Sequence, residues 1–146
     1  MRTVINSKGV ESQHTFALCP FLRLPQLATA PAGQPLALVK SVKTAILATP
    51  YFKQYVWLAT IGLSYLALER LELLRGRLIV LFPDAGALDK WQPKADELRA
   101  LGFTVRVSTA LENEVTPDER GAGLDLADVL LAEWPGYPLN WDFKAE

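Results

Sequence analysis

A single cysteine, Cys19, excludes an internal disulfide framework and a multi-cysteine zinc site. A single histidine, His14, leaves no histidine pair for a metal or a proton relay. Charge of one sign is also missing, for the net charge of -1 argues against strong, non-specific nucleic-acid binding by the whole chain. No run approaches the roughly 18 apolar residues of a membrane span. The uncharged stretch 54–68 is shorter and is interrupted by Thr60, Gly62 and Ser64. Residues 1–10 carry no secretory signal pattern, so a reducing, cytoplasmic setting and no membrane partner are expected.

What is present fits one globular domain. The 146 residues are 50% hydrophobic and 21% charged, enough to bury a substantial core. The charge is unevenly spread. Residues 1–60 hold six Lys/Arg against one acid, Glu11, and the remainder holds nine against fifteen. Such asymmetry marks either a basic face or ordinary solvated surface.

In order along the chain, residues 1–14 read as a polar, mobile lead-in. Residues 15–134 form the domain, and 135–146 an extended tail rich in aromatics. Pro20 and Pro25 break the apolar segment 15–27 into a short helix or irregular packing, and 28–35 is a loop by composition. Leu36-Ala37-Leu38-Val39 reads as a first core strand, and Ser41 caps a helix over 42–51. A second strand over 55–61 is rich in aromatic and β-branched residues. Helical spacing over 66–74 ends at Arg75-Gly76. Leu78-Ile79-Val80-Leu81-Phe82 is an unbroken apolar run, the mark of a strand buried on both faces. A helix over 88–101 places Trp91, Ala95, Leu98 and Leu101 at helical spacing, and 103–107 alternates as a fourth strand. Thr116-Pro117-Asp118-Glu119 is a capping box, broken by Gly121-Ala122-Gly123 before a last helix over 124–134. Alternating strands and helices predict a Rossmann-like three-layer α/β sandwich around a mainly parallel sheet of about four strands.

In such a sheet all carboxyl ends of the strands share one edge, where open α/β sheets take their ligands. That edge collects Lys40, Asp84 and the loop before the last helix, with Asp125 and Asp128 three residues apart on one face. Converging carboxylates suit magnesium. Lys40 and Lys43 at a helix N-terminus suit phosphate. Each also has a plain structural reading. Asp125 would favour its helix end, Asp128 and Lys43 would be solvated, and Lys40 would reach solvent from the strand end.

The segments Val39-Lys40-Ser41-Val42-Lys43-Thr44-Ala45, Leu81-Phe82-Pro83-Asp84-Ala85-Gly86-Ala87 and Gly123-Leu124-Asp125-Leu126-Ala127-Asp128 resemble, in this order, three motifs of Toprim (topoisomerase–primase) domains. Lys90-Trp91 adds to the likeness, which spans roughly residues 35–132. It is closest to the primase-related Toprim-like proteins of bacterial mobile elements. The resemblance implies a compact α/β domain whose active members hold magnesium on acids and handle phosphodiesters. By position, Asp84 matches the first aspartate of an Asp-x-Asp pair and Asp125 a late aspartate. Lys40 stands where a glutamate is usual, and Gly86 replaces the second aspartate. A lysine cannot take the glutamate's metal-binding role, and Gly86 removes a ligand.

The expectation is therefore a degenerate, non-catalytic Toprim-like module of DNA replication or mobilisation, needing no cofactor. It would bind DNA or RNA, or a phosphate group, through Lys40 and Lys43, with replication or mobilisation proteins as partners. An active magnesium-dependent nucleotidyl-transferase or nuclease using Asp84, Asp125 and Asp128 is the first alternative. A structural or protein-interaction domain is the second. In the degenerate reading Asp84 pairs with Lys40 in place of a metal. His14 reads as solvated, Cys19 as a small apolar residue, and Ser41 lacks the flanking glycines of a nucleophile elbow. Trp91 reads as core. Trp134, Tyr137 and Trp141 read as packing on their own domain, with base stacking or a partner contact as the alternative.

Overall fold

The computed structural model describes residues 4–5, 11–12, 25–60 and 71–132. The element order is β1 (Val4–Ile5), β2 (Glu11–Ser12), α1 (Pro25–Thr29), β3 (Leu36–Val39), α2 (Val42–Ala48) and β4 (Val56–Ala59). A 3-10 turn (Glu72–Leu74) precedes β5 (Leu78–Leu81), α3 (Leu88–Ala100) and β6 (Thr104–Val107). Three short helices follow, α4 (Ala110–Glu114), α5 (Pro117–Ala122) and α6 (Leu126–Ala132).

The four longer strands pair in the order β4-β3-β5-β6, every pair parallel. Leu38 lies opposite Leu58 on one side and Leu81 on the other, and Ile79 lies opposite Val105. Both neighbours of β3 are therefore reached by crossovers. The chain leaves β3 outward to β4 and returns on its other side to β5. The reversal falls between β3 and β5, and it is the switch point at which open sheets hold their ligands.

Alternate residues of β3 and β4 feed two cores, and β5 and β6 add to one of them. On one face Leu36, Leu38, Leu58, Ile79, Leu81 and Val105 pack with Leu71 and Leu74 and with Trp91, Ala95 and Leu98 of α3. On the other, Ala37, Val39, Trp57 and Ala59 pack under Ala45 and Ala48 of α2, with Leu126 and Leu130 of α6 against them. β3 and β4 are buried at every position, so their sequences run apolar without alternation. Helices on both faces make this a three-layer Rossmann-like α/β sandwich. β6 differs. Thr104 and Arg106 are exposed and Val105 is buried, the pattern of a strand covered on one face only.

Several boundaries move from the sequence expectation. α2 stops at Ala48, and although Thr49 keeps helical backbone angles, Pro50 has no N–H to continue the hydrogen-bond ladder. α3 ends at Ala100, and Leu101, expected inside, caps the helix half-exposed. Gly102 then takes φ +90°, the left-handed turn that ends a helix. The Thr116 capping box forms fully, but α5 continues through Gly121, and Gly123 at φ +67° ends it. Two helices were not expected. Residues 25–29, placed partly in a loop, form α1, and α4 has no side-chain cap to announce it. A two-residue antiparallel pair, Val4 opposite Ser12, joins β1 and β2 within the expected lead-in. Most of the helix expected over 66–74, together with His14, Cys19, Trp134, Tyr137, Trp141 and the tail, lies outside the described residues. No helix among the described residues is long and apolar enough to cross a membrane.

Candidate functional site at the carboxyl edge of the sheet

Three loops meet at the switch point, and each has a local reason to be there. After β3, Lys40 projects from the strand end and Ser41 turns the chain into α2. The Ser41 hydroxyl accepts the Thr44 N–H at 3.1 Å and lies 2.9 Å from the Thr44 hydroxyl. After β5, Pro83 and Asp84 open a loop held by its backbone. The Ala85 N–H donates to the Leu124 carbonyl at 2.7 Å, and the Ala87 N–H to the Asp84 carbonyl at 3.0 Å. Gly86 in this loop has φ +80°, and its N–H donates to Glu112 Oε2 at 2.9 Å. Glu112 in turn pairs with Arg120 at 2.7 Å.

Before α6, Asp125 and Asp128 cap the helix reciprocally. The Asp128 N–H donates to Asp125 Oδ1 at 2.8 Å, and the Asp125 N–H to Asp128 Oδ2 at 3.0 Å. The outer oxygens of both face α2. Lys43 Nζ lies 2.8 Å from Asp128 Oδ1 and 3.5 Å from Asp125 Oδ2, and the Ser41 hydroxyl donates to the latter at 3.4 Å. All four oxygens of the Asp pair are thereby engaged. Asp84 holds a looser partner, with Lys40 Nζ at 4.0 Å from Oδ2. The Lys40 side chain is 58% exposed and that of Asp84 23%.

The electrostatics follow from these contacts. Burial pushes the Asp84 carboxyl above its usual range, against the pull of Lys40, and the negative charges of Asp125 and Asp128 push it further. The hydrogen bond from Lys43 holds Asp128 below the usual carboxylate range, and the Asp125 N–H adds to it. The same bond to Asp128 raises the Lys43 ammonium, opposed by desolvation and helped by the charge of Asp125. At the carboxyl end of β4, buried Thr60 Oγ1 has no hydrogen-bond partner among the described residues.

The five residues expected from the sequence thus come together at one edge, in two ion-paired groups. The arrangement differs from the solvated readings of Lys43 and Asp128, since each is the other's partner. It also fits a resident divalent cation poorly. Lys43 occupies the acceptor oxygens of Asp125 and Asp128, and Lys40 stands beside Asp84. No three His, Cys, Asp or Glu side chains among the described residues are grouped to hold a metal ion. Sequence reasoning missed Glu112 and Arg120, which brace the Gly86 loop from helices brought close only by folding.

This geometry defines a class first, a three-layer α/β domain with a cluster of paired acids and lysines at its switch point. The chain belongs to the family described as a domain of unknown function (DUF6371), whose model matches residues 6–85. That stretch includes Lys40, Lys43 and Asp84 and stops short of Asp125 and Asp128. No curated protein and no solved structure matches the chain.

Proposed function

We propose that this chain is a degenerate, non-catalytic Toprim-like module that binds nucleic acid or a phosphate group at the carboxyl edge of its sheet, in replication or mobilisation of DNA. The observation that carries the reading is the pair of protein cations at that edge. Lys43 sits on the oxygens of Asp125 and Asp128, and Lys40 stands over Asp84. A catalytic Toprim centre needs those oxygens for magnesium, so the ammonium groups supply fixed charge where a metal would supply reactivity. The two lysines then differ in role. Lys43 is committed to its acids, whereas Lys40, exposed and 4.0 Å from its partner, is the ammonium able to turn to a phosphate.

Anisotropy of labelled single-stranded DNA at low salt tests this. Binding is expected to be weak and salt-sensitive, and Lys40→Ala should flatten the logarithmic salt slope by about 0.7 for one lost phosphate contact. Affinity unchanged in both Lys40→Ala and Lys43→Ala would remove the proposed site. Titration of magnesium or manganese separates the catalytic alternative. Site-specific shifts of the Asp84 and Asp125 resonances at millimolar metal would replace the non-catalytic reading with it.

A further inference from the structure

Among the described residues, the core on the face of the sheet that carries α2 and α6 takes in residues of β3 and β4 but none of β5 or β6, where Val80 is buried while Thr104 and Arg106 are exposed. There a groove of about 560 Å³ is lined by Val80 and Arg106 of the sheet, Leu111 of α4, and Tyr55, Phe82 and Leu126. A parallel sheet is normally covered on both faces, so an apolar groove of this kind is the place of a layer that the described residues do not supply. Arg106, exposed in its lining, has no hydrogen-bond or ion-pair partner among the described residues, although every other arginine of 71–132 has one.

We propose that residues 133–146 of this same chain are the missing layer, laid along the groove over β5 and β6 with an acid of the segment on Arg106. Three observations converge on this occupant. α6 begins at the groove, where Leu126 lines it, and its seven residues carry the chain only about 10 Å before the segment starts at residue 133. Fourteen residues reach up to about 46 Å when extended, more than the length of the four-residue strands they must cover. The segment also has the matching chemistry. Trp134, Tyr137, Leu139, Trp141 and Phe143 supply apolar bulk, Pro135 and Pro138 favour an extended course, and Glu133, Asp142 and Glu146 supply the charge opposite to Arg106.

A nitroxide placed on the full-length chain through Lys144→Cys in a Cys19→Ser background tests the docking by paramagnetic broadening of amide signals. The amides of Val80, Arg106 and Leu111 are expected to lose most of their intensity, and those of Ala95 and Leu98, on the far face, to keep theirs. Arg106→Glu should restore the lost signals, and broadening undiminished in that variant overturns the part given to Arg106. A 1:1 mixture of spin-labelled chain with isotope-labelled, spin-free chain distinguishes the occupants. Broadening in the mixture assigns the groove to a second copy and overturns the proposal, as does the absence of broadening at the groove in the labelled chain itself.

Discussion

Asp84 and Asp128 are aspartates of one cluster whose burial and partners drive them in opposite directions. Asp84 is held above its ordinary value in the folded chain, so the proton bound there favours folding. Its contribution is complete below the unfolded value and is lost as pH rises through the folded one. Asp84→Asn is therefore expected to gain stability relative to the parent as pH rises across the carboxylate range. Urea denaturation over that range checks it, and a gap that does not change with pH would contradict the burial argument. Asp128 is held low, so its contribution is present above the unfolded value and is lost as pH falls through the folded one. Asp128→Asn should cost most near neutrality, and that cost should shrink in acid. Gly86 supplies a steric counterpart. A Cβ there would stand 2.8 Å from the Arg120 carbonyl oxygen on a backbone at φ +80°. Gly86→Ala should destabilise by about 1–3 kcal/mol in thermal or chemical melts, from backbone strain alone. Gly86→Asp, the change that would write an Asp-x-Asp pair, meets the same wall, so the missing acid cannot be restored by one substitution at no cost.

At the scale of elements, the short helices depend on their ends. α5 has six residues and α6 seven, too few to be helical in isolation. Each starts on a reciprocal cap, Thr116 with Glu119 and Asp125 with Asp128. Thr116→Ala should cost about 1 kcal/mol and let the Glu119 pKa rise part of the way to its ordinary value, because the Thr116 N–H, which holds it low most strongly, remains and only the hydroxyl is removed. Carboxyl NMR titration of Glu119 reads the second effect directly, and an unmoved Glu119 would mean that the Thr116 hydroxyl contributes nothing to it. The Thr116 box was legible in the sequence because its partners lie three residues apart, with proline at the first helical position. The Asp125–Asp128 spacing was legible too, but as a shared face rather than as a cap. Its other half, Lys43, is 85 residues away and has no local signal.

For the whole molecule, the sheet is where sequence and structure agree best. Trp57 is 1% exposed and joins Phe82, Tyr55 and Phe52 in an aromatic cluster, its ring centroid 4.9 Å from that of Phe82. Trp57→Ala should cost about 3–5 kcal/mol in denaturant unfolding, a large share of a domain's stability. The apolar runs of β3, β4 and β5 announced a parallel sheet because strands buried on both faces need apolar residues at every position. The sequence by itself determined that α/β class, the helical face of Trp91, Ala95 and Leu98, and the collection of Lys40, Asp84 and Asp125 at one edge. These follow from periodicity and from the common polarity of parallel strands. Only the tertiary structure decided the strand order β4-β3-β5-β6, which puts the switch point between Lys40 and Asp84. It alone decided that Lys43 closes on Asp125 and Asp128, and that Thr104 and Arg106 of β6 are left exposed among the described residues. Strand order and cross-chain ion pairs depend on which distant segments come to lie side by side, and no local pattern of residues encodes that choice.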